Sequence, residues 1–383
     1  MRVAMIHNQF LDAKGERRLI GGVETYLSYL SQLCLKDGHE PIIFQGADRP
    51  FQRTVDGILV FGVPTVNKDI KQTNSMLYEA AIKQIDPAKD VVVFGAHYCS
   101  VPTNNPRCIL VQHGVSWDLP TSYFTKRWSC KFGLGARIKK WVNTRNEVRC
   151  FENCRTRVCV DYNFLNWYRT KIVDELDNAI HVIPNCAPIA SAEEVNSRKG
   201  NAENISILFA RRFTPHRGTR LIAGVIKSMI SKGVEFEFTF AGEGPDECWL
   251  RERFMREKRV HFTKFGLEET TAVHLSHDIA VIPSIASEGT SLSVAEAMGA
   301  GCAVVATAVG GITNMIIDQY NGLLAMPNSE SLLRAMSSLV TNPSLREELG
   351  KRAYETARTA FCRELWEMKW RDVLKAAAGD DKW

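Results

Sequence analysis

Two glutamates, Glu288 and Glu296, lie eight positions apart in a stretch that could bind an extended anionic ligand, SEGTSLSVAEAMGAGCAVVATAVGG. Glu288 is on a loop rich in small and hydroxyl residues, and Glu296 is in the short helix predicted to follow. The start of a helix attracts phosphate, because its N–H groups lack partners within the helix and the helix dipole is positive there. The predicted phosphate contacts are Gly289, Thr290, Ser291 and Leu292. The two carboxylates could then reach different parts of one ligand, although the same pattern also fits two surface charges beside an ordinary strand–helix junction.

Arg212 and Arg217 follow the first predicted strand of the second half, Ile205–Ala210, in the segment RRFTPHRG. A turn that contains Pro215 separates them. Each guanidinium can donate two hydrogen bonds to a phosphate, so the pair would bind a diphosphate at this strand-to-helix turn. The alternative is an exposed basic turn without a ligand.

The first residues of the chain contain a second pattern that brings backbone close to a ligand. Val3–Ile6 is predicted to be a buried strand, and Gly21 and Gly22 open an amphipathic helix. Strand, glycine turn and helix form the first unit of a doubly wound α/β domain, where ligands bind at the carboxyl ends of the strands. His97 and His113 each follow a buried strand. A structural role is favoured for a lone histidine, but the glycine after His113 in QHGVSWD favours a site role for that residue.

Strands and helices alternate through both halves of the chain, which indicates parallel sheets with helices on both faces. A chain of 383 residues exceeds one ordinary core, so we expect two domains. The polar segment 188–204 is the predicted linker, and the last segment, Tyr354–Ala378, is predicted to be helical. The remaining strands predicted in the first half are Pro41–Phe44, Ile58–Phe61, Val91–Phe94, Ile109–Gln112, Val158–Val160 and Ile180–Ile183.

The composition, 45% apolar and 24% charged, is that of a globular protein. The opening MRVAMIHNQF lacks the long apolar region of a signal peptide. The small-residue run 295–311 contains a glutamate and several glycines, which argues against a membrane span. Eleven cysteines are scattered without the C-x2-C spacing of a zinc site, so we expect no metal site and a reducing, cytoplasmic location.

Positive charge is concentrated in residues 126–157, which contain ten Lys and Arg residues and only two carboxylates, Glu147 and Glu152. This local excess is larger than the net charge of +5 of the whole chain. Aromatic residues such as Trp128 and Trp141 lie among the cations. Such a stretch suits an anionic membrane surface or a lipid-phosphate acceptor, and a solvated helix with its apolar stripe in the core fits equally well. No nucleic-acid-binding motif accompanies the cations, so we expect no nucleic-acid partner.

In their order and spacing, these residues resemble the retaining glycosyltransferases of the GT-B fold, in the large group often called family 4. The resemblance spans most of the chain. The sequence departs from the usual pattern at Thr290-Ser291, where an aromatic residue and glycine are commoner, at Asn314, where glutamate is usual, and at Arg217, which is usually lysine. The matching segments are Gly21-Gly22-Val23-Glu24, His113-Gly114, Ile183-Pro184-Asn185, Arg212, Arg217, Gly242-Glu243-Gly244-Pro245, Asp278, Ile282-Pro283-Ser284, Glu288 to Glu296 and Gly310-Gly311.

The resemblance implies two Rossmann-like doubly wound domains facing each other across a cleft. Residues 1–187 would form the N-terminal acceptor domain, and residues 188–363 the C-terminal nucleotide-sugar donor domain. A final helix, 364–383, would cross back onto the first domain.

The resemblance also implies how the donor diphosphate is bound. Arg212 and Arg217 would bind it and stabilise the leaving group as negative charge develops there. The sequence contains no D-x-D motif. We therefore expect the arginines to take the place of a metal ion, with no cofactor besides the nucleotide sugar itself.

The remaining implied roles concern the sugar and the ribose. Glu296 would hold the ribose hydroxyls, and Glu288 would hold the transferred sugar together with the amides of residues 290–292. His113 and Gly22 would come from the other domain and face the sugar and phosphate of the donor.

The donor would be a UDP-, GDP- or ADP-sugar, between which the sequence does not discriminate. The expected reaction is hexosyl transfer to a sugar, a glycolipid or another acceptor, including lipid-linked and cell-surface glycan precursors. The basic stretch would place the enzyme on the inner face of the cell membrane. The alternatives are a GT-B nucleotide-sugar epimerase, an inverting transferase, or a non-catalytic binding subunit on the same scaffold.

Overall fold

The computed structural model describes residues 1–19, 21–115, 134–172, 179–197, 205–286 and 288–379. The chain divides into two compact units. Unit 1 consists of Met1–His113, Thr125–Ile183 and Trp366–Trp383, and unit 2 of Gly114–Phe124 and Pro184–Leu365. The acceptor and donor roles of the two domains, and their boundaries at residues 187 and 363, stay predictions. Part of the basic stretch, including Trp128, and the end of the predicted linker lie outside the described residues.

Unit 1 contains an eight-stranded, mostly parallel sheet. Its strands are β1 (Arg2–Ile6), β2 (Glu40–Ala47), β3 (Phe51–Val55), β4 (Ile58–Pro64), β5 (Val91–Phe94), β6 (Cys108–Gln112), β7 (Thr156–Cys159) and β8 (Ile180–Val182). Its first four helices are α1 (Gly22–Lys36), α2 (Ile70–Ile82), α3 (Leu134–Phe151) and α4 (Tyr162–Arg169). The strand order is β3-β4-β2-β1-β5-β6-β7-β8. Every residue of β5 and β6 is buried, as expected for central strands of a parallel sheet.

The β3–β4 hairpin is the antiparallel part of this sheet, and β3 was not predicted. Its sequence, FQRTV, is mostly exposed, so no apolar run marks it. The turn between the strands was the available signal. Asp56 and Gly57 both have left-handed φ angles, 52° and 76°, as a two-residue hairpin turn of the Asp-Gly type requires.

Unit 2 contains a six-stranded parallel sheet in the order β11-β10-β9-β12-β13-β14. Its strands are β9 (Ser206–Ala210), β10 (Glu237–Ala241), β11 (Val260–Thr263), β12 (Ile279–Ile282), β13 (Ala303–Thr307) and β14 (Leu323–Ala325). Its helices are α5 (Ala192–Ser197), α6 (Thr219–Ser231), α7 (Glu247–Phe254), α8 (Thr270–Leu275), α9 (Leu292–Gly299), α10 (Ser329–Thr341) and α11 (Pro343–Ala360). Helix α5 lies within the segment predicted as a linker.

Alternate residues of one strand pack on opposite faces of this second sheet, so both faces carry a core. In β12, Val281 belongs to a buried apolar cluster that includes Ile222 and Val225 of α6. Its neighbours Ala280 and Ile282 belong to another cluster, which includes residues of α9. Helices on both faces hold the strand ends in place, and those ends position the candidate site.

The last described helix, α12 (Arg363–Ala378), packs on α1, and its residues from Trp366 onward group with unit 1. Trp370 Nε1 donates a hydrogen bond to the Tyr26 hydroxyl at 3.0 Å. Arg371 forms a bidentate ion pair with Asp37, at 2.7 and 3.0 Å. The hydrogen bond from Trp370 and the ion pair of Arg371 hold this helix against α1.

The segment Tyr354–Ala378, predicted to be helical, contains the end of α11 at Ala360 and the whole of α12 from Arg363. Phe361 is buried between them, and its carbonyl accepts a hydrogen bond from the Ala187 N–H at 3.0 Å. Among the described residues, no helix combines the length and the apolar composition needed to cross a membrane.

Candidate functional site

Glu288 lies at the centre of a charged cluster at the carboxyl ends of β9 and β12. Its carboxylate is almost fully buried, and Oε1 accepts hydrogen bonds from three side chains. Arg211 Nη2 lies 2.7 Å away and Arg217 Nη1 lies 2.8 Å away, while the Ser284 hydroxyl completes the set. Arg211 Nη1 also donates to Ser284 Oγ, at 2.7 Å. One buried carboxylate oxygen thus lies between two guanidinium groups.

The two arginines keep Glu288 ionised. Burial alone would raise the pKa of Glu288, but the charges of Arg211 and Arg217 and the hydrogen bond from Ser284 outweigh that effect. The pKa of Glu288 therefore lies well below its usual range. Burial lowers the pKa of Arg211, and the charge of Glu288 opposes that decrease. A guanidinium has so high an intrinsic pKa that it stays protonated.

The Glu288–Thr290 loop is also held by its backbone. Gly311 N donates to the Glu288 carbonyl at 2.7 Å. Asn185 Nδ2 donates to the Thr290 carbonyl at 2.8 Å. The Gly-Gly turn and the Ile-Pro-Asn segment of the sequence therefore both act on the loop that carries the buried glutamate.

Two glycines make close approaches that shape the site. Gly218 has a left-handed φ of 80°, and a Cβ there would lie 1.8 Å from the Pro283 carbonyl oxygen. Gly242 has φ 137°, and a Cβ there would lie 2.5 Å from the Arg211 carbonyl oxygen. Only glycine fits at such positions. The loops that follow β9, β10 and β12 therefore pack backbone to backbone, which brings Arg217 to the cluster.

Helix α9 begins directly after this loop, and Ser291 is its N-cap residue. The Ser291 side chain does not cap the helix. Its hydroxyl is buried and has no hydrogen-bond partner within the described part of the chain. Ser293 Oγ donates to the Ala210 carbonyl at 3.3 Å, which ties the first turn of α9 to the end of β9. A helix start with an unpartnered buried hydroxyl is suited to a phosphate oxygen.

Glu296 lies on α9 and differs from Glu288 in its electrostatic environment. Burial raises the pKa of Glu296 to about 7, and the charge of Arg211 opposes that rise. Glu296 is therefore protonated in a substantial fraction of molecules near neutral pH. Glu288, Glu296 and Arg217, which the sequence suggested separately, are thus brought to one region of unit 2 together with residues 289–292.

The arginine that the structure buries beside Glu288 is Arg211, which the sequence analysis did not name. Arg212 is exposed, whereas Arg211 is buried against Glu288. Sequence reasoning named Arg212 and missed Arg211. All five residues of β9 are buried, and Arg211 N continues its ladder by donating to the Ala241 carbonyl at 3.0 Å. Two adjacent arginines after such a strand point to opposite sides, so one had to turn inward.

Of the residues predicted from the first half, the two histidines follow strands of the sheet in unit 1, and the two glycines are at the start of α1. His113 follows β6, and its Nε2 lies 2.7 Å from the Gly95 carbonyl oxygen. Burial lowers the pKa of His113 to about 4, so the ring is neutral and Nε2–H donates this bond. His97, after β5, forms a contact with Glu147 of α3. Gly21 and Gly22 flank and begin α1.

Residues 191–356 match the family model described as Glycosyl transferases group 1. The matched region includes the cluster around Glu288. An uncharacterized glycosyltransferase of Methanocaldococcus jannaschii is 30% identical over 152 residues, which cover 39% of this chain and 42% of that protein. The gpi3 subunit of phosphatidylinositol N-acetylglucosaminyltransferase from Schizosaccharomyces pombe is 24% identical over 338 residues, covering 84% of this chain and 70% of that protein. The chain thus spans less than half the length of the first relative.

The fold is also that of solved glycosyltransferases. The structure of HepE from Anabaena in complex with UDP superposes with a TM-score of 0.70 at 15% identity, covering 98% of this chain and all of that chain. The predicted fold class, two Rossmann-like α/β domains of the GT-B type, is confirmed.

Proposed function

We propose that this protein is a retaining, metal-independent glycosyltransferase that moves a hexosyl group from a nucleotide-diphosphate sugar to an acceptor. One observation carries the proposal. In a domain that matches glycosyl transferases group 1, an ionised Glu288 and two arginines lie beside a helix start whose Ser291 hydroxyl is buried without a partner among the described residues. The nucleotide-sugar class is supported by this chemistry, and the choice among UDP, GDP and ADP is left to experiment.

The proposed donor contacts follow the charges of the cluster. Arg217, together with the exposed Arg212, binds the diphosphate and stabilises the negative charge that develops as the glycosidic bond breaks. The backbone of residues 289–292 binds phosphate oxygens, as a helix start does. Glu296 accepts hydrogen bonds from the ribose hydroxyls, and Glu288 orients the transferred sugar. Retention of anomeric configuration rests on the resemblance to family 4.

His113, Gly21 and Gly22 are proposed to complete the reaction from unit 1. The neutral imidazole of His113 is a hydrogen-bond donor or acceptor for a sugar hydroxyl and carries no charge at neutral pH. Gly22 is exposed at the start of α1, where a residue without a side chain lets the backbone approach a ligand, and Gly21 precedes it beside the Glu24 carboxylate. These roles rest on the resemblance, on the position of His113 after a strand and on that of the glycines at the start of α1.

We propose a membrane-associated, lipid-linked acceptor. The name of the Schizosaccharomyces pombe relative specifies transfer to a phosphatidylinositol lipid. In this chain, α3 exposes Ile138, Trp141 and Val142, with Trp141 60% accessible, and the Arg145 guanidinium lies 5.4 Å from the Trp141 ring centre. Exposed apolar groups interleaved with cations suit an anionic membrane surface and disfavour the alternative in which these residues face the core. The expected location is the cytoplasmic face of the cell membrane.

A screen of nucleotide sugars tests the proposed reaction. Purified protein is incubated with UDP-, GDP- and ADP-hexoses, and release of the nucleotide is measured with and without lipid extract. Arg212→Ala and Arg217→Ala should each reduce turnover by about 100-fold or more, because they remove stabilisation of the leaving group. Arg334→Ala is the matched control, since Arg334 of α10 is exposed and pairs with an exposed glutamate, Glu330.

The same assay separates the competing functions. An α-anomer product from an α-linked donor, detected by NMR, supports retention, and a β-anomer identifies an inverting transferase. Conversion of the free nucleotide sugar to its epimer identifies an epimerase. Binding without turnover of any donor identifies a binding subunit and contradicts the proposal.

A further inference from the structure

Arg211 is held by Glu288 in a way that the proposed donor chemistry does not require. We infer that Arg211 is a positioning residue: it stays on Glu288 as the permanent counter-ion of that buried carboxylate, which allows Arg217 to leave Glu288 and bind the donor diphosphate. The inference rests on the proposed function, because it needs a diphosphate that competes for Arg217.

The two arginines differ in how firmly they are held. The Arg211 side chain is 5% exposed, whereas that of Arg217 is 36% exposed. Arg211 donates to both Ser284 and Glu288, and its backbone is fixed in the sheet by the bond to Ala241. Arg217 ends a three-residue 3-10 helix, Pro215–Arg217, at the surface. Arg217 is therefore the guanidinium that can turn toward an incoming ligand.

Glu288 is buried and ionised, so at least one of the two arginines must remain beside it. A buried carboxylate that loses its cation either carries a large desolvation penalty or takes up a proton. With Arg211 in place, Arg217 can exchange Glu288 for phosphate while Glu288 stays ionised. Without Arg211, the same exchange would leave Glu288 uncompensated, so donor binding would have to be accompanied by proton uptake.

Other titratable groups near Glu288 must be separated from this effect. His216 lies between Arg212 and Arg217 in the sequence. Burial lowers the pKa of His216, and the charges of Arg217, Arg211 and Arg212 lower it further, whereas the charge of Glu288 opposes this decrease. Glu296 interacts electrostatically with Arg211 from α9. A comparison of Arg211→Met with Arg211→Met/Glu288→Gln separates the effect of Glu288 from the effects of His216 and Glu296.

Calorimetry of nucleotide diphosphates tests the inference without the sugar that Glu288 is proposed to hold. UDP, GDP and ADP are titrated into the wild type, Arg211→Met, Arg211→Lys, the double variant Arg211→Met/Glu288→Gln, and the control Arg334→Met, at an exposed arginine that pairs with an exposed glutamate, Glu330. Each titration is run in two buffers that differ in ionisation enthalpy, which gives the number of protons taken up per nucleotide bound. Protonation of the nucleotide itself is common to all variants and cancels in the differences.

The inference predicts a specific pattern. Arg211→Met should bind about tenfold or more weakly at about pH 8, less weakly at about pH 6, and take up close to one proton more than the wild type. Arg211→Lys should recover part of the affinity, and the double variant should lose the additional proton uptake. Arg334→Met should match the wild type in affinity and proton number.

The outcomes separate the inference from the function it rests on. If the wild type binds none of the nucleotides, the proposed function fails and the inference fails with it. If the wild type binds and Arg211→Met shows the same affinity and proton number, the inference is wrong while the proposed function stands. If the additional proton persists in the double variant, it belongs to another group, such as Glu296, and the inference is overturned. Should Arg211→Met not fold, Arg211→Gln, which removes the positive charge but keeps a polar side chain, takes its place. An Arg211→Gln affinity and proton number equal to the wild type, or a double variant with excess proton uptake, overturns the inference.

Discussion

The two units place different kinds of polar group at the carboxyl ends of similar parallel sheets. In unit 2, the ends of β9 and β12 carry a charged cluster in which Glu288 is paired with Arg211 and Arg217. In unit 1, the corresponding strand ends carry imidazoles, and that of His113 is neutral because burial lowers its pKa to about 4. Charged groups suit a ligand that carries or develops charge, and neutral groups suit hydroxyls. The same architecture thus offers two chemistries, according to which side chains follow the strands.

The largest expected effect breaks the charged cluster itself. Glu288→Ala leaves the buried Arg211 guanidinium without its counter-ion, and we expect a loss of about 3 kcal/mol or more in the free energy of unfolding. Denaturant unfolding measures it. The control is Glu243→Ala, which removes an exposed ion pair with Lys264 in the same unit and should change stability by less than about 1 kcal/mol. Equal effects of the two substitutions would show that the Glu288 cluster is not a buried pair.

A smaller effect tests the contrast between the two glutamates of unit 2. Burial raises the pKa of Glu296 to about 7 from its ordinary value of 4.5, so between these pH values the folded state holds a proton that the unfolded state releases. Stability is therefore greatest below the unfolded pKa and declines as pH rises through about 7. Glu296→Gln cannot ionise, so its melting temperature should exceed that of the wild type by about 2–4 °C at about pH 8 and equal it near pH 4.5.

Thermal melts across that pH range provide the measurement for Glu296→Gln. A stability difference that grew toward low pH would have the wrong sign and would place the pKa of Glu296 below its usual value. The same substitution should weaken binding of a ribonucleotide diphosphate, if the proposed ribose contact is made.

The neutral imidazole of His113 in unit 1 predicts an effect without a pH signature. His113→Gln keeps a neutral hydrogen-bonding group, so turnover should fall by about tenfold or less. The shape of the pH–rate profile between about pH 5.5 and 8 should not change, because His113 does not titrate there. Loss of a kinetic pKa in that range on substitution would show that His113 acts as a charged acid or base.

The smallest effect on the fold concerns the exposed face of α3. Trp141→Ala should leave the melting temperature unchanged, since the side chain is 60% exposed, and should weaken binding to anionic vesicles by about tenfold. Met255→Ala, an exposed apolar residue in unit 2, is the control and should not alter vesicle binding. Binding that is equal for the wild type and Trp141→Ala would remove α3 from the proposed membrane contact.

Much of the fold follows from patterns that the sequence displays openly. The apolar runs of β1, β5 and β6 and the glycine turn before α1 are local signals, and each predicted strand of the first half is present in the structure. The missed strand β3 has an exposed, polar sequence and is held by its partner β4 and by the Asp56-Gly57 turn. Its pairing is a property of the sheet edge, which a search for buried strands does not detect.

The site was predicted less completely, because its contacts join distant segments. The pattern of two glutamates and a basic turn led to Glu288 and Arg217, whose ion pair joins loops 71 residues apart. It did not distinguish Arg211 from Arg212, since the direction of each side chain depends on the hydrogen bond that β9 forms with β10. It also gave no reason for Asn185, which holds the Thr290 carbonyl across 105 positions of the sequence.

The path of the chain into α12 has a consequence for biosynthesis. Trp370 binds Tyr26 of α1, and Arg371 binds Asp37 directly after α1. Both partners on α12 are translated only after the whole of unit 2. A domain whose residues all lie in the first part of the chain can fold early on the ribosome. Unit 1 is completed only by α12, which follows unit 2 in the chain. Its aromatic surface on α1 therefore stays uncovered while the ribosome synthesises the residues between α1 and α12. Unit 2 can finish folding before unit 1 does.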